Sequence, residues 1–242
     1  MKNKTKILIF SGAGVSKESG IETFRGSNNG LWMNYDVKKV AHIDAWKKNP
    51  QLVLDFYNMR KNDMMNVKPN LAHEIIAELE KDFDVTVVTQ NVDDLHEKAG
   101  STKVIHLHGE LSKVRSENSK EFVYPYDKDI EIGDLAEDGY QLRPDITWFG
   151  ENLDWEKVRL AENVASEAEV CIIVGTSMQV SPANSIPFQT KETALIYYVD
   201  PSDVDFYVPG FREYFFYHIQ EPATTGMQKI KQELTETFLH AN

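Results

Sequence analysis

The sequence predicts an α/β fold built on a doubly wound parallel sheet. Two observations predict it. Four short runs, at residues 7–10, 85–88, 170–174 and 195–199, are almost continuously apolar, the pattern of strands buried on both faces. Helical periodicity fills the intervals between them, and strand alternating with helix implies a parallel sheet covered on both sides, in a Rossmann-like arrangement.

The elements follow in chain order. The run Ile7-Leu8-Ile9-Phe10 ends at a glycine-rich turn. Residues 52–64 carry Leu52, Val53, Phe56, Tyr57 and Met64 at helical spacing after Asn49-Pro50. Residues 70–81 place Leu71, Ile75 and Leu79 on one face behind an Asn cap. Residues 155–168 and 225–239 read the same way. Two stretches break the alternation. Residues 28–68 are long and helical, which reads as a helical insertion. Residues 111–147 are polar and turn-rich, with Tyr124-Pro125-Tyr126, Gly133, Gly139 and Pro144. They read as a small, mostly non-helical module that leaves the main domain and returns to it. The whole of 1–242 is otherwise one domain. Ligands bind such sheets at the carboxyl ends of the strands. Both insertions leave from strand ends, so a cleft between sheet and module is the expected site.

Composition narrows the function. The 26 Lys and Arg against 38 Asp and Glu leave a formal charge of −12, which argues against a nucleic-acid or anionic-membrane partner. A single cysteine, Cys171, excludes a disulfide framework and a multi-cysteine zinc site. No apolar run approaches the ~18 residues of a membrane span. The apolar run behind the N-terminal lysines is too short for a signal peptide. These features predict a cytoplasmic, monomeric protein.

Four segments carry chemistry. Gly12-Ala13-Gly14-Val15-Ser16 follows the first strand, where glycines let amides approach a phosphate at a helix N-terminus. It is an incomplete dinucleotide fingerprint, with Lys17 in the third glycine position, and a tight ligand-free turn is the alternative. Gln90, Asn91 and Asp93 cluster after the second strand. Asn91 or Asp93 could cap a helix, but capping does not need Gln90 as well. His106 and His108 alternate by two and so share one side of a strand. A metal pair would lack a third ligand, whereas an imidazole with a pKa near ~6.5 suits a general base. Gly175-Thr176-Ser177 forms a second turn able to present amides and hydroxyls to a phosphate.

Together these segments closely resemble the sirtuin family of NAD-dependent protein deacylases. The matching pieces are Gly12-Ala13-Gly14-Val15-Ser16, Gly20-Ile21-Glu22-Thr23-Phe24-Arg25, Thr89-Gln90-Asn91-Val92-Asp93, Leu107-His108-Gly109, Trp148-Phe149-Gly150-Glu151 and Gly175-Thr176-Ser177, in the family's order. The resemblance implies transfer of an acyl group from lysine to the ribose of NAD, with release of nicotinamide. It assigns the pyrophosphate to Gly12, Ala13, Gly14 and Ser16, and a loop over the nicotinamide ribose to Thr23, Phe24 and Arg25. Gln90 and Asn91 would contact or organise the ribose, and Asp93 would select the carboxamide. His108 would be the general base, with Asn91 also catalytic. Gly175, Thr176, Ser177, Asp200 and Ala223 would complete the NAD site. An acyl-lysine peptide would add as a strand between Phe149-Gly150-Glu151 and the segment around Val180.

The sequence departs from the family twice. The family's small module usually holds zinc with four cysteines. Here the region has none, and Ser116 stands where the first ligand is expected. No zinc is therefore expected, and Phe122, Val123, Tyr124, Tyr126 and Leu135 are candidates for a substitute apolar core. The family's adenosine-side Asn is matched by Tyr198, with Asp200 two residues on. One feature sharpens the substrate. Tyr57 and Arg60 lie three apart on a helix, and in the branch called class III such a pair binds the carboxylate of succinyl- or malonyl-lysine. Ala41 would leave room for the longer chain. The alternatives are an NAD hydrolase or ADP-ribosyltransferase using the same cleft, or a silent NAD- or ADP-ribose-binding sensor.

Overall fold

The computed structural model describes residues 4–22 and 36–239. Strand β1 (Lys6–Ser11) runs into a 3-10 helix, Ala13–Ser19, and α1 (Val37–Val40), α2 (Ile43–Lys48) and α3 (Pro50–Met65) follow. Next come α4 (Leu71–Leu79), β2 (Asp84–Thr89), α5 (Leu95–Ala99) and β3 (Val104–His106). The small module comprises β4 (Gly109–Ser116), β5 (Val123–Pro125) and β6 (Leu142–Ile146). The chain returns through α6 (Trp155–Glu167), β7 (Val170–Val174), β8 (Leu195–Val199), β9 (Phe216–Ile219) and α7 (Ala223–Leu234).

The main sheet has the order β3-β2-β1-β7-β8-β9, and every pairing is parallel. From β1 the chain moves to β2 on one side, and from β7 to β8 on the other. The topological switch point therefore lies between β1 and β7. Side chains of β1 alternate in direction. Ile7 and Ile9 join the core under α4 and α7, while Leu8 and Phe10 join the opposite core under α6. Each such buried side chain stabilises the fold by about 1.5–3 kcal/mol, more than a helix cap at about 1 kcal/mol. Caps instead set where helices begin. The Asn49 side chain accepts from the Leu52 amide, with Pro50 in the first turn of α3. Asn70 and His73 form a capping box at α4.

Some expectations need adjustment. The helix read at 225–239 is α7 from Ala223, and it widens into a π-helical turn at Thr235–Leu239. The first glycine turn opens a short 3-10 helix, ended by Gly20 in the left-handed region, not an α-helix. Strand β9 lacks a continuous apolar signal because it is an edge strand, with Tyr217 and His218 at its centre. Of the stretch 28–68, residues 28–35 lie outside the described residues, and the remainder is helical as α1 to α3. Among the described residues, no helix is long and apolar enough to cross a membrane.

The substitute core of the small module differs from expectation. Val123 and Leu135 are exposed, while Leu111, Val114, Ile130, Ala136, Leu142 and Ile146 are buried. The module builds no core of its own. Its apolar side shares one cluster with Trp46, Leu54 and Phe56 of α2 and α3, against which Tyr124 and Tyr126 pack. Asn58 ties the two parts by donating to the Ile130 carbonyl at 2.9 Å and accepting from the Ile130 amide at 3.0 Å. The Ser116 hydroxyl is buried and donates to Asp138 at 2.7 Å.

Candidate active site

A cavity of about 1040 Å³ runs along the carboxyl ends of β1, β2, β7 and β8 and beneath α3 and the segment after β6. Its floor is the switch point itself. The Gly14 amide donates to the Gly175 carbonyl at 2.7 Å, and the Gly12 amide to the Val174 carbonyl at 3.1 Å. A Cβ on Gly14 would stand 2.7 Å from the Gly175 Cα, and Gly175 itself has φ +62°. Glycine is required here because one backbone presses on another. Ala13, Gly14, Gly175, Thr176 and Ser177 line the cavity.

Gly12 and Ser16, expected at the pyrophosphate, lie behind this floor, and both are buried. The Ser16 hydroxyl donates to Asp93 at 3.0 Å and accepts from Asn91 Nδ2 at 3.2 Å, so it serves the protein's own polar network. Asn91 Nδ2 also donates to the Gly12 carbonyl at 3.1 Å. Asp93 accepts the Leu95 amide at 3.2 Å, a local turn bond one residue before Asp94, which is the cap residue of α5, so neither Asn91 nor Asp93 is that helix's cap. Burial pushes the Asp93 carboxyl up, against the pull of the Leu95 amide and the Ser16 hydroxyl. Asn91 and Asp93 both still line the cavity.

Gln90 is placed differently. Its Oε1 accepts from the Thr176 hydroxyl at 2.8 Å, which joins the β2 and β7 ends. Its Nε2 is buried and has no partner in the fold. Met178, just past this turn, sits at φ +55°, held by its amide to Thr176 Oγ1 and by Asn184 to its carbonyl. A non-glycine residue in that region stores strain, as functional sites often do.

The two histidines anchor successive carbonyls of the loop after β2. His106 Nδ1 meets the Asn91 carbonyl at 2.9 Å and His108 Nδ1 meets the Gln90 carbonyl at 2.9 Å. A carbonyl only accepts, so each Nδ1 carries the hydrogen. His106 Nε2 contacts Glu97 at 2.8 Å. Burial opposes its charge, yet the bond to Glu97 and that carboxylate's charge raise it above the ordinary imidazole value. His106 lies outside the cavity lining. His108 lines the cavity, burial lowers its pKa, and its Nε2 is left as the basic atom. Gly109 follows at φ +84°, with the Asp145 carbonyl 1.8 Å from where a Cβ would be.

Tyr57 and Arg60 are both buried and line the cavity, as does Ala41. Burial holds the Tyr57 phenol well above its usual value, so it remains a donor. Burial lowers Arg60, with Asp63 the largest opposing charge. Phe149, Gly150, Glu151 and Val180 line the cavity too. The Glu151 carboxylate, however, is not offered to a ligand. Arg143 grips it through two 2.8 Å bonds, Arg115 adds one at 3.2 Å, and the Trp148 amide donates to it at 2.9 Å. The Arg143 guanidinium also lies 3.4 Å from the ring centroid of Trp148. Sequence reading missed this clamp, although Arg143 was visible eight residues before Glu151.

At the opposite end, Asp200 and Ala223 line the cavity. Glu18 caps α7 there, accepting from the Thr224 amide at 3.0 Å and its hydroxyl at 2.8 Å. Tyr198 does not face the cavity. It is packed among Phe206, Phe216 and His218, because strand alternation turns it into the core. Thr23, Phe24 and Arg25 lie outside the described residues. A second unforeseen cluster lies behind the floor, where His96 meets Ser11 Oγ at 2.9 Å and stacks edge-on against His73.

The fold and this cleft define a doubly wound α/β protein with a ligand site at its switch point. The Sir2 family model matches residues 12–182, and the chain belongs to the Sir2 family. It is 48% identical to an NAD-dependent protein deacylase of Helicobacter pylori, over 98% of this chain and 99% of that one. It is 42% identical to an NAD-dependent protein deacylase of Bacteroides thetaiotaomicron, over 97% and 98%. Among solved structures, a Sir2 homologue in complex with NAD superposes with a TM-score of 0.82 at 35% identity, covering 96% of this chain and 90% of the other.

Proposed function

We propose that this chain is an NAD-dependent protein-lysine deacylase whose acyl pocket favours carboxylated chains such as succinyl or malonyl. One observation carries the reading. A single cavity contains the glycine floor, a neutral His108 with its Nε2 free, and the buried Tyr57 and Arg60 pair. The deacylase names of the relatives support the same activity.

The residues present fit NAD, because the orphaned Gln90 Nε2 is a buried donor in the cavity wall that a bound sugar or phosphate oxygen would satisfy. When bound, NAD supplies the ribose that accepts the acyl group and the nicotinamide that leaves. His108 Nε2 takes a proton from a ribose hydroxyl, while the Gln90 carbonyl keeps Nδ1 protonated and the ring oriented. His106 fixes the Asn91 carbonyl, so Asn91 and Asp93 are held in place from behind. Thr23, Phe24 and Arg25 are assigned to the nicotinamide side by resemblance alone.

The peptide adds as a strand between residues 149–151 and 178–180, so its backbone rather than Glu151 supplies the pairing. Tyr57 and Arg60 donate to the acyl carboxylate, a task suited to a forked guanidinium. The small module does not fit the family's four-cysteine zinc site. Ser116 is already bonded to Asp138, and among the described residues no group of three His, Cys, Asp or Glu could hold a metal ion. We read the module as metal-free, and the whole chain as one monomeric, cytoplasmic catalytic unit.

The test is mass spectrometry of NAD products with acetyl-, succinyl- and unmodified-lysine peptides in parallel. Acyl-ADP-ribose formed fastest with the succinyl peptide is the expected result. Free ADP-ribose at the same rate with all three would point to NAD hydrolysis and refute deacylation. His108→Ala should lower turnover by ~100-fold or more while NAD still binds. Near-normal deacylation would remove the assignment.

A further inference from the structure

Behind the loop after β2, outside the cavity lining, the buried His106 ring stands between two acceptors. Its Nδ1 meets the Asn91 carbonyl at 2.9 Å, and its Nε2 meets Glu97 of α5 at 2.8 Å. Burial pushes the Glu97 carboxyl up, but the bond to His106 and that ring's charge hold it below the usual carboxylate range. Glu97 is therefore ionised, and like the carbonyl it only accepts. A neutral imidazole has one N–H to give. Both bonds are satisfied together only by the imidazolium.

The groups around the ring agree with that charge. Glu97 faces it from α5, Glu110 from β4, and Asp93 from the loop it braces. His96, on α5, is kept neutral by burial first and by the charges of His73 and His106 after that. Lys113 is drawn to Glu110 at 2.7 Å. Asn91 and Asp93 line the cavity, whereas His106 and Glu97 do not. A hydrogen bond from a charged donor is roughly twice as strong as a neutral one, so the imidazolium holds the Asn91 carbonyl harder. The same charge favours the ionised form of Asp93, which burial opposes.

We propose that His106 and Glu97 are positioning residues: Glu97 keeps His106 an imidazolium, which braces Asn91 and Asp93 for NAD from behind the cavity wall. The inference rests on the NAD-dependent reading of the cavity and is independent of acyl choice. Its consequence is an alkaline limb in turnover. As the pH rises through the His106 value, the ring sheds a proton, one of its two bonds fails and the loop loosens. His108, lowered by burial, sets the limb on the acid side instead.

Nitrogen-15 NMR of the wild-type ring, assigned by the signals missing from His106→Gln, gives the first readout. Its titration midpoint should lie above the ordinary value near ~6.5. The kcat/KM for NAD, followed as nicotinamide release with an acyl-lysine peptide from pH 6 to 9.5, should fall with the same midpoint. In Glu97→Gln both midpoints should move down together by about one unit or more. The rate at pH 8 should be about tenfold below wild type, with the deficit shrinking as the pH is lowered and the KM for peptide unchanged. A wild-type ring that is neutral at pH 6.5 overturns the inference without any variant. It is equally overturned if the ring midpoint moves in Glu97→Gln while the kinetic limb stays, since the charge then does not reach the site. Nicotinamide release is common to deacylation and NAD hydrolysis, so either of these failures leaves the NAD-dependent reading intact. No release by wild type at any pH refutes that reading and takes this inference with it.

Discussion

Lowering the pH should unfold this protein through its buried imidazoles, and His73 sets the scale. Burial lowers His73 from 6.5 to about 4, and at about 1.4 kcal/mol per unit the shift corresponds to about 3 kcal/mol. The folded value lies below the unfolded one, so between them the unfolded chain binds the extra proton. Stability from this group is complete above pH 6.5 and drains away as the pH falls toward 4. His96, fully buried against the same ring, is depressed in the same direction. Glutamine at position 73 keeps a capping-box side chain for Asn70 but does not titrate. His73→Gln should therefore flatten the stability profile below pH 6.5 by about 3 kcal/mol, or roughly 6–12 °C in Tm for a chain of this size. The assay is urea unfolding followed by circular dichroism at half-unit steps from pH 7.5 to 4.5. Parallel wild-type and variant profiles would show that His73 is not a neutral buried group.

Three further outcomes follow from the site. Arg60→Met should lower the succinyl-to-acetyl ratio of kcat/KM by about 10- to 150-fold, the worth of a charge-assisted hydrogen bond; an equal loss on both peptides would make Arg60 merely structural. Gly14→Ala forces a Cβ to 2.7 Å from the Gly175 Cα and should cost about 1–3 kcal/mol of stability while raising the KM for NAD, and unchanged values of both would mean the floor can yield. Elemental analysis of purified protein should find less than one equivalent of zinc, and a chelator should leave Tm unchanged; a tightly held full equivalent would sink the metal-free reading.

Much of the sheet was legible because buried parallel strands announce themselves. Residues 7–10, 85–88, 170–174 and 195–199 are apolar on both faces for the same reason that helices cover both. The cavity residues were legible through motif order, which brought Gln90, His108 and Gly175 to neighbouring strand ends. What stayed hidden were pairings across sequence distance. Nothing local in Ser16 reveals that its hydroxyl bonds Asp93 and Asn91, 77 and 75 residues away in sequence. Nor does anything local in Glu151 reveal that Arg143 and Arg115 close on its carboxylate. The small module was misjudged for a related reason. Its aromatic run looked like a private core, but its buried residues pack on α2 and α3, and periodicity within 111–147 carries no record of that partner.

The meeting of Gly14 with Gly175 has a consequence for how such a pocket changes over time. Where Gly14 meets Gly175 the floor between β1 and β7 is bare main chain, and those two positions carry no side chain that a point mutation could exchange for another chemistry. Any residue larger than hydrogen pushes the two turns apart. Whatever lies across that seam meets peptide groups, and those are the same in every variant that still folds. Novelty enters through the side chains around that seam, with Tyr57, Arg60 and Trp148 at one end and Asp200 and Ala223 at the other. The molecule is thus divided into a part that drift can reach and a part it cannot, and the boundary runs through the middle of a single cavity.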